Sequence, residues 1–353
     1  VSMTTDPAKS TVQSDVDGTG GFAKRSVGAR LVSANTFWIA LVLLALCVVF
    51  TIAAPGEFAT VFTFQTLLIE TAVLLVLSVG MTFVIITSGI DLSVGSVLIF
   101  AGMVSAKTME ALSPGGTATN AGWGVISAGL LTGVVAGTVW GLINGLLIAV
   151  AKIPPLIVTL GTMGAALGAA YLLNNGSDVR SVPTALNNTL GYGTWFGIPN
   201  LVLVAAVITL IGAWLLHTTK FGRYTYAVGS NAEAARRSGI GVTAHLLKVY
   251  TLTGFLAGVA GFMSLAYYAS TTISAHTTDN LNAIAATVMG GTSLFGGIGS
   301  VLGTVIGVFI PAVLKKGFNI TQVPDFWQMI AVGAVLIAAV WFDQRRRRLR
   351  NSR

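Results

Sequence analysis

Few residues in this sequence could do covalent chemistry. Its 353 residues hold 12 Asp and Glu, 3 His and a single Cys. His217, His245 and His276 are too scattered to form a recognisable metal site. There is no GxxxxGK[ST] phosphate loop, no H-E-x-x-H helix, no paired acidic metal motif and no nucleophile elbow. The chain is therefore not expected to be an enzyme, and no cofactor or metal is expected on it. If it does work, the energy comes from another protein or from an ion gradient. Cys47 lies in an apolar run, reads as a small core residue, and has no cysteine to pair with.

The polar residues that remain sit at corners and along apolar blocks. Asp91 is the only acid between Glu70 and Glu110, in the tight corner SGIDLS over 88–93. An acid at membrane depth is a functional candidate by default. At a corner just before a helix, Asp91 or Ser93 would instead cap that helix. Both readings, a cap and a gating or coupling role, stay open. Glu70 is either buried and paired or hydrated near an interface. Asn144, Thr159, Thr162, Asn282, Thr292 and Ser293 could hydrogen-bond a polyhydroxylated substrate in a pathway, or a neighbouring helix.

The longest polar interval, Lys220 to Tyr250, carries five of the 20 Lys and Arg. Ser230 and Glu233 have the spacing of a capping box. Ala232, Ala234 and Ala235 favour helix, and Gly239 and Gly241 can end it. Arg236 and Arg237 complement the dipole in the last turn. So short a helix is marginal alone and needs a packing neighbour.

These elements must be positioned by a membrane-embedded scaffold. The chain is 54% hydrophobic and 9% charged, against roughly 25% charged in soluble proteins. Its mean hydropathy is +0.82. Uninterrupted apolar runs of about 20 residues recur, the length that crosses a hydrocarbon core, and they lack the alternation of a β-barrel. The fold class expected is an all-α polytopic membrane protein with about ten transmembrane helices. The first five blocks are Thr36–Ala54, Phe62–Thr87, Ser93–Met109, Trp123–Val150 and Leu156–Leu173. Leu201–Leu216 and Leu246–Ser270 follow. GGTSLFGGIGS over 290–300 splits 281–314 into an eighth and a ninth helix, either of which can be shorter than a full span. Phe326–Phe342 is the tenth.

Residues 1–33 read as a disordered cytoplasmic tail without the apolar run of a signal peptide, 34–343 as the transmembrane domain, and 344–353 as a basic cytoplasmic tail. With the N-terminus inside, 16 of the 20 Lys and Arg fall in alternate segments on the cytoplasmic side. That places both termini and the 220–246 segment inside, and favours an even number of crossings. The net charge of +8 is explained by this distribution and does not call for nucleic acid. The aromatic residues suit contact with membrane lipid and its interfaces.

Gly133, Gly137, Gly141 and Gly145 form one four-residue ladder, and Gly299, Gly303 and Gly307 another, of the kind that lets helix backbones approach closely. SVGSVLIFAG at 93–102 resembles GIGSVLGTVIG at 297–307, each after a polar corner. The pair is a candidate inverted repeat of the kind found in transporters.

Four motifs in order resemble the membrane permease subunits of bacterial ABC importers for ribose, xylose, galactose and similar sugars. They are GMTFVIITSGIDLSVGSV at 80–97, KIPPLIVTLGTM at 152–163, FGRYTYAVGSNAEAARRSGI at 221–240 and AIAATVMGGTSLFGGIGSVLGT at 283–304. The resemblance covers about residues 35–343. It implies a type II-like importer subunit, paired with a second copy (a homodimer) or a related permease (a heterodimer). It further implies an extracytoplasmic solute-binding protein, and cytoplasmic ABC ATPase subunits that carry ATP and magnesium. In such permeases the helix between spans six and seven docks into a cleft on the ATPase. That role maps onto a segment containing Gly222, Arg223, Gly229, Ser230, Asn231, Glu233, Ala234, Ala235, Arg236 and Gly239. The location implied is the bacterial cytoplasmic membrane. One departure is Asn280 before Leu281, where the family often has an acid. Rival readings are a secondary transporter and, more distantly, a membrane-embedded enzyme. A different cargo such as a nucleoside, an autoinducer sugar or a branched-chain amino acid also stays open.

Overall fold

The computed structural model describes residues 35–324, together with 327, 330, 331, 333, 334, 337 and 341. Both expected tails and most of the expected tenth helix lie outside the described residues. Within them the apolar runs form helices: α1 (Asn35–Ala53), α2 (Val61–Ile86), α3 (Val94–Ala111), α4 (Trp123–Ala149), α5 (Pro155–Leu173) and α6 (Asn200–Thr218). Two amphipathic pieces follow, α7 (Lys220–Ser230) and α8 (Ala232–Arg237). The chain then continues through α9 (Val242–Tyr268), α10 (Asp279–Met289) and α11 (Val301–Ile320). Seven of these, α2 to α6 together with α9 and α11, are long and apolar enough to cross a membrane. α10 has 11 residues, about 16 Å of helix, half of a hydrocarbon core.

α2 and α9 are the central helices, each buried over 78% of its apolar window. α5 and α6, at 22%, are the outer ones. The α4–α9 contact is a backbone contact. Gly137 and Gly141 of α4 lie against Gly254 and Gly258 of α9. A Cβ at Gly141 would sit 2.8 Å from the Gly254 Cα, closer than carbon atoms pack. Gly133 meets Ala101 and Ser105 of α3, and Gly145 meets Leu247. Gly303 and Gly307 of α11 lie against Gly290 and Ala286 at the end of α10, while Gly299 lies against Thr292 and Ile86. Polar fasteners cross the same centre: the Thr82 and Thr304 hydroxyls are 2.7 Å apart, joining α2 to α11.

Two expectations need correction. The interval after α6 is not one loop with a short helix. Thr219, in extended conformation, caps α7, its hydroxyl accepting from the Gly222 N–H at 3.4 Å. The Ser230–Glu233 capping box does not form either. Ser230 is still helical as the last residue of α7, so it cannot take the extended conformation a cap requires. Asn231 takes it (φ −162°, ψ 102°), and its side-chain oxygen accepts from the Ala234 N–H at 2.9 Å. Glu233 pairs forward instead, with Arg236 at 2.8 Å and Arg237 at 3.3 Å.

Candidate functional site

The corner between α2 and α3 is where the buried polar side chains gather. Asp91 is 2% exposed, and one carboxylate oxygen accepts from both the Ser93 N–H (2.9 Å) and the Ser93 hydroxyl (2.6 Å). This is an Asx turn ahead of the helix, not an N-cap, since Ser93 holds the cap position without a side-chain cap bond. Burial pushes the Asp91 carboxyl upward from its ordinary range, and the two bonds from Ser93 pull it back. Asn144 of α4 donates to the Ser93 hydroxyl at 2.8 Å. Thr159 of α5 donates to the Ile90 carbonyl at 3.3 Å as well as to its own helix at Pro155. Asn280, at the start of α10, donates to the Leu92 carbonyl at 3.0 Å. One six-residue corner is thus held from three helices.

Asp91, Ser93, Asn144 and Thr159 therefore come together. Thr162 bonds back to its own helix at Thr159, 3.4 Å away. For Asn282 the bond found is a backbone one, from its N–H to Thr278. Thr292 and Ser293 lie apart from this corner, buried in the second one, 290–300. Asn280 is the residue that sequence reasoning did not select, although it was visible as a departure from the family pattern. Tyr250 was also missed. It is fully buried, its hydroxyl lies against Gly89 and has no partner, and the Asn144 and Asn280 carbonyl oxygens are also unpartnered.

A second polar chain fastens the opposite end of α9. The Ser264 hydroxyl is 2.6 Å from His276 Nε2, and His276 Nδ1 is 2.7 Å from Asp279. Both His276 nitrogens are engaged, so the chain links α9 to the start of α10. Glu70 is 41% exposed and 3.5 Å from Lys316, so it is partly hydrated and also paired.

The exposed functional candidate is α8. Asn231, Ala232, Glu233, Ala234, Arg236, Arg237 and Gly239 are exposed, whereas Ala235 is buried against Val228 and Val242. Gly222 and Gly229 of α7 are buried and Arg223 is exposed, donating to the Thr218 carbonyl at 3.3 Å. α8 is thus a small charged knob with one alanine anchoring it to the body.

Comparison with known proteins now adds a lineage to this geometry. Residues 63–340 match the model of the branched-chain amino acid transport system / permease component family. The chain belongs to that permease family. It is 37% identical to the ribose import permease protein of Escherichia coli strain K12, over 87% of this chain and 92% of that one. It is 32% identical to the xylose transport system permease protein of the same strain, over 96% and 98%. The fructose import permease protein of Rhizobium meliloti is 32% identical, over 86% and 84%. No solved structure matches. The resemblance carried by the four sequence motifs is borne out along nearly the whole chain.

Proposed function

We propose that this chain forms the translocation pathway of an ATP-driven importer for a monosaccharide. The observation that carries it is the match to the ribose import permease over 87% of the chain, with xylose and fructose permeases beside it. In this reading a solute-binding protein delivers the sugar outside, and ATP and magnesium are held by a separate cytoplasmic ATPase. α8 is the docking element for that ATPase. Its exposed face, offset from one buried alanine, is a shape that fits a cleft. The functional unit contains two permeases, this chain twice or with a related one, in the bacterial cytoplasmic membrane.

Ten helices with both termini cytoplasmic is the topology we favour, with α10 a half-length member. The charge distribution supports it, since the basic residues of α7, α8 and the C-terminal run then share one side. The similar segments at 93–102 and 297–307 open α3 and α11 after corners that touch each other through Ser88 and Phe295, an internal repeat whose two helices run the same way in a ten-helix count. In cycling, movement of α8 tilts α6 and α9 on either side of it and switches a central cavity between outward- and inward-open states. Non-sugar cargo is a second reading, favoured by the branched-chain amino acid description of the family.

Deleting the gene and following uptake of radiolabelled ribose, xylose, fructose, allose and leucine separates the two. Loss of one sugar, restored by the wild-type chain, is expected. Loss of leucine uptake with every sugar intact would overturn the sugar reading.

A further inference from the structure

Three chain segments that are far apart in sequence meet at the end of α7, and one hydroxyl sits between them. Ser88, in the first corner, donates to the Gly229 carbonyl at the end of α7 (3.1 Å) and to the Phe295 carbonyl of the second corner (3.0 Å). The Gly297 N–H donates to the Ile86 carbonyl at 2.9 Å, which closes the first corner onto the second. The Tyr226 hydroxyl donates to the Gly299 carbonyl at 2.8 Å, which closes α7 onto the second corner. Gly229 packs on the Ile86 carbonyl and Gly297 packs on Ser230, so there is no room for side chains at these crossings. Gly229 is two residues before Asn231, the cap of α8.

A serine hydroxyl carries a single proton. With two carbonyl acceptors in reach, it can satisfy only one of them fully at a time. Small displacements of α7 relative to the second corner therefore decide which acceptor holds it. Ser88 is also held at φ +63°, a left-handed conformation that is uncommon for a residue other than glycine. The surrounding contacts keep it there.

We propose that Ser88 is a positioning residue for transport, whose hydroxyl passes movement of α7 and α8 to the second Gly-rich corner. The inference rests on the importer reading, in which α8 moves with an ATPase. It extends that reading from the docking element to the route by which its motion enters the membrane domain. The first corner is the junction: its far half is held by Asn144, Thr159 and Asn280, so a shift at Ser88 also bears on α3, α4, α5 and α10.

The test follows the second corner directly and needs no knowledge of the cargo. In the full chain, with Cys47→Ala, a reporter thiol is introduced by Phe295→Cys, which keeps the backbone carbonyl that Ser88 bonds. The chain is purified from its native membrane with whatever ATPase accompanies it, and maleimide labelling is timed with and without ATP plus vanadate. With Ser88 present, trapping should change the labelling rate by about fivefold or more, the scale of an ordinary coupling free energy. Ser88→Gly relieves the backbone strain and removes the hydroxyl, so the change should vanish while the ATPase still co-purifies. Ser88→Ala should do the same. Ser88→Asn tolerates a left-handed backbone and brings two donors, and should restore it. An undiminished response in Ser88→Gly and Ser88→Ala would overturn the proposal alone, as would no response with Ser88 and a bound ATPase. Recovery of the chain without any ATPase would overturn the importer reading and the proposal with it.

Discussion

Asp91 is a buried acid whose hydrogen bonds all come from one neighbour two residues away. Bonds to a charged group are worth about 1.5–3 kcal/mol each when lost. Asp91→Ala is therefore expected to lower the thermal midpoint of the detergent-solubilised chain clearly. Asp91→Asn, which keeps an acceptor oxygen in place, should lower it less. Equal loss in the two variants would show that the charge, not the acceptor, holds the corner. The sequence already singled out Asp91, Ser93, Asn144 and Thr159, because charged residues are scarce in such a chain and polar ones at a corner or inside an apolar block are candidates for hydrogen bonds. It could not show that Asn144 reaches Ser93 across 51 residues, or that Asn280 takes the place beside Leu92. Those pairings are set by how helices cross, and residue type alone does not encode that.

The elements divide along the same line. Long apolar runs were legible to within a few residues because burial in lipid dictates both length and composition. α7 was not, since Gly222, Gly229, Thr225 and Val228 are weak helix formers and its stability comes from Thr219 and from packing. The cap of α8 was misplaced by one residue for a related reason: Ser230 was already committed to the helix before it. That shift matters for testing the docking role. Ala235 faces Val228 and Val242, so a charge there would break the knob's own anchor. Ala234 is exposed in the first turn, where an acid suits the helix dipole. Ala234→Asp should therefore leave the chain folded and inserted while weakening co-purification of the ATPase by about tenfold, about 1.4 kcal/mol. Undiminished recovery would argue against docking through this face. Between elements, Gly141→Leu would force apart α4 and α9 where their backbones touch. Overpacking of this kind costs about 1–3 kcal/mol or more, and the mutant should show a lower thermal midpoint or fail to accumulate. A midpoint equal to wild type would mean that the glycine contact is dispensable.

At the scale of the whole molecule, a central pair of helices, α2 and α9, is joined to corners and a half-length piece, and the exposed knob between spans starts beside those corners, where Ser88 meets Gly229. Under the proposed function such a body forms the pathway and takes its energy from a separate ATPase. Its similarity to sugar permeases extends over nearly all of its length. The measurement that tests this account most directly is affinity purification of the chain from its native membrane in mild detergent, with partners identified by mass spectrometry and solute flux measured in liposomes. The account predicts recovery of a cytoplasmic ATPase and solute movement that requires ATP. A chain recovered alone that still moves solute down or against a gradient without ATP would contradict it.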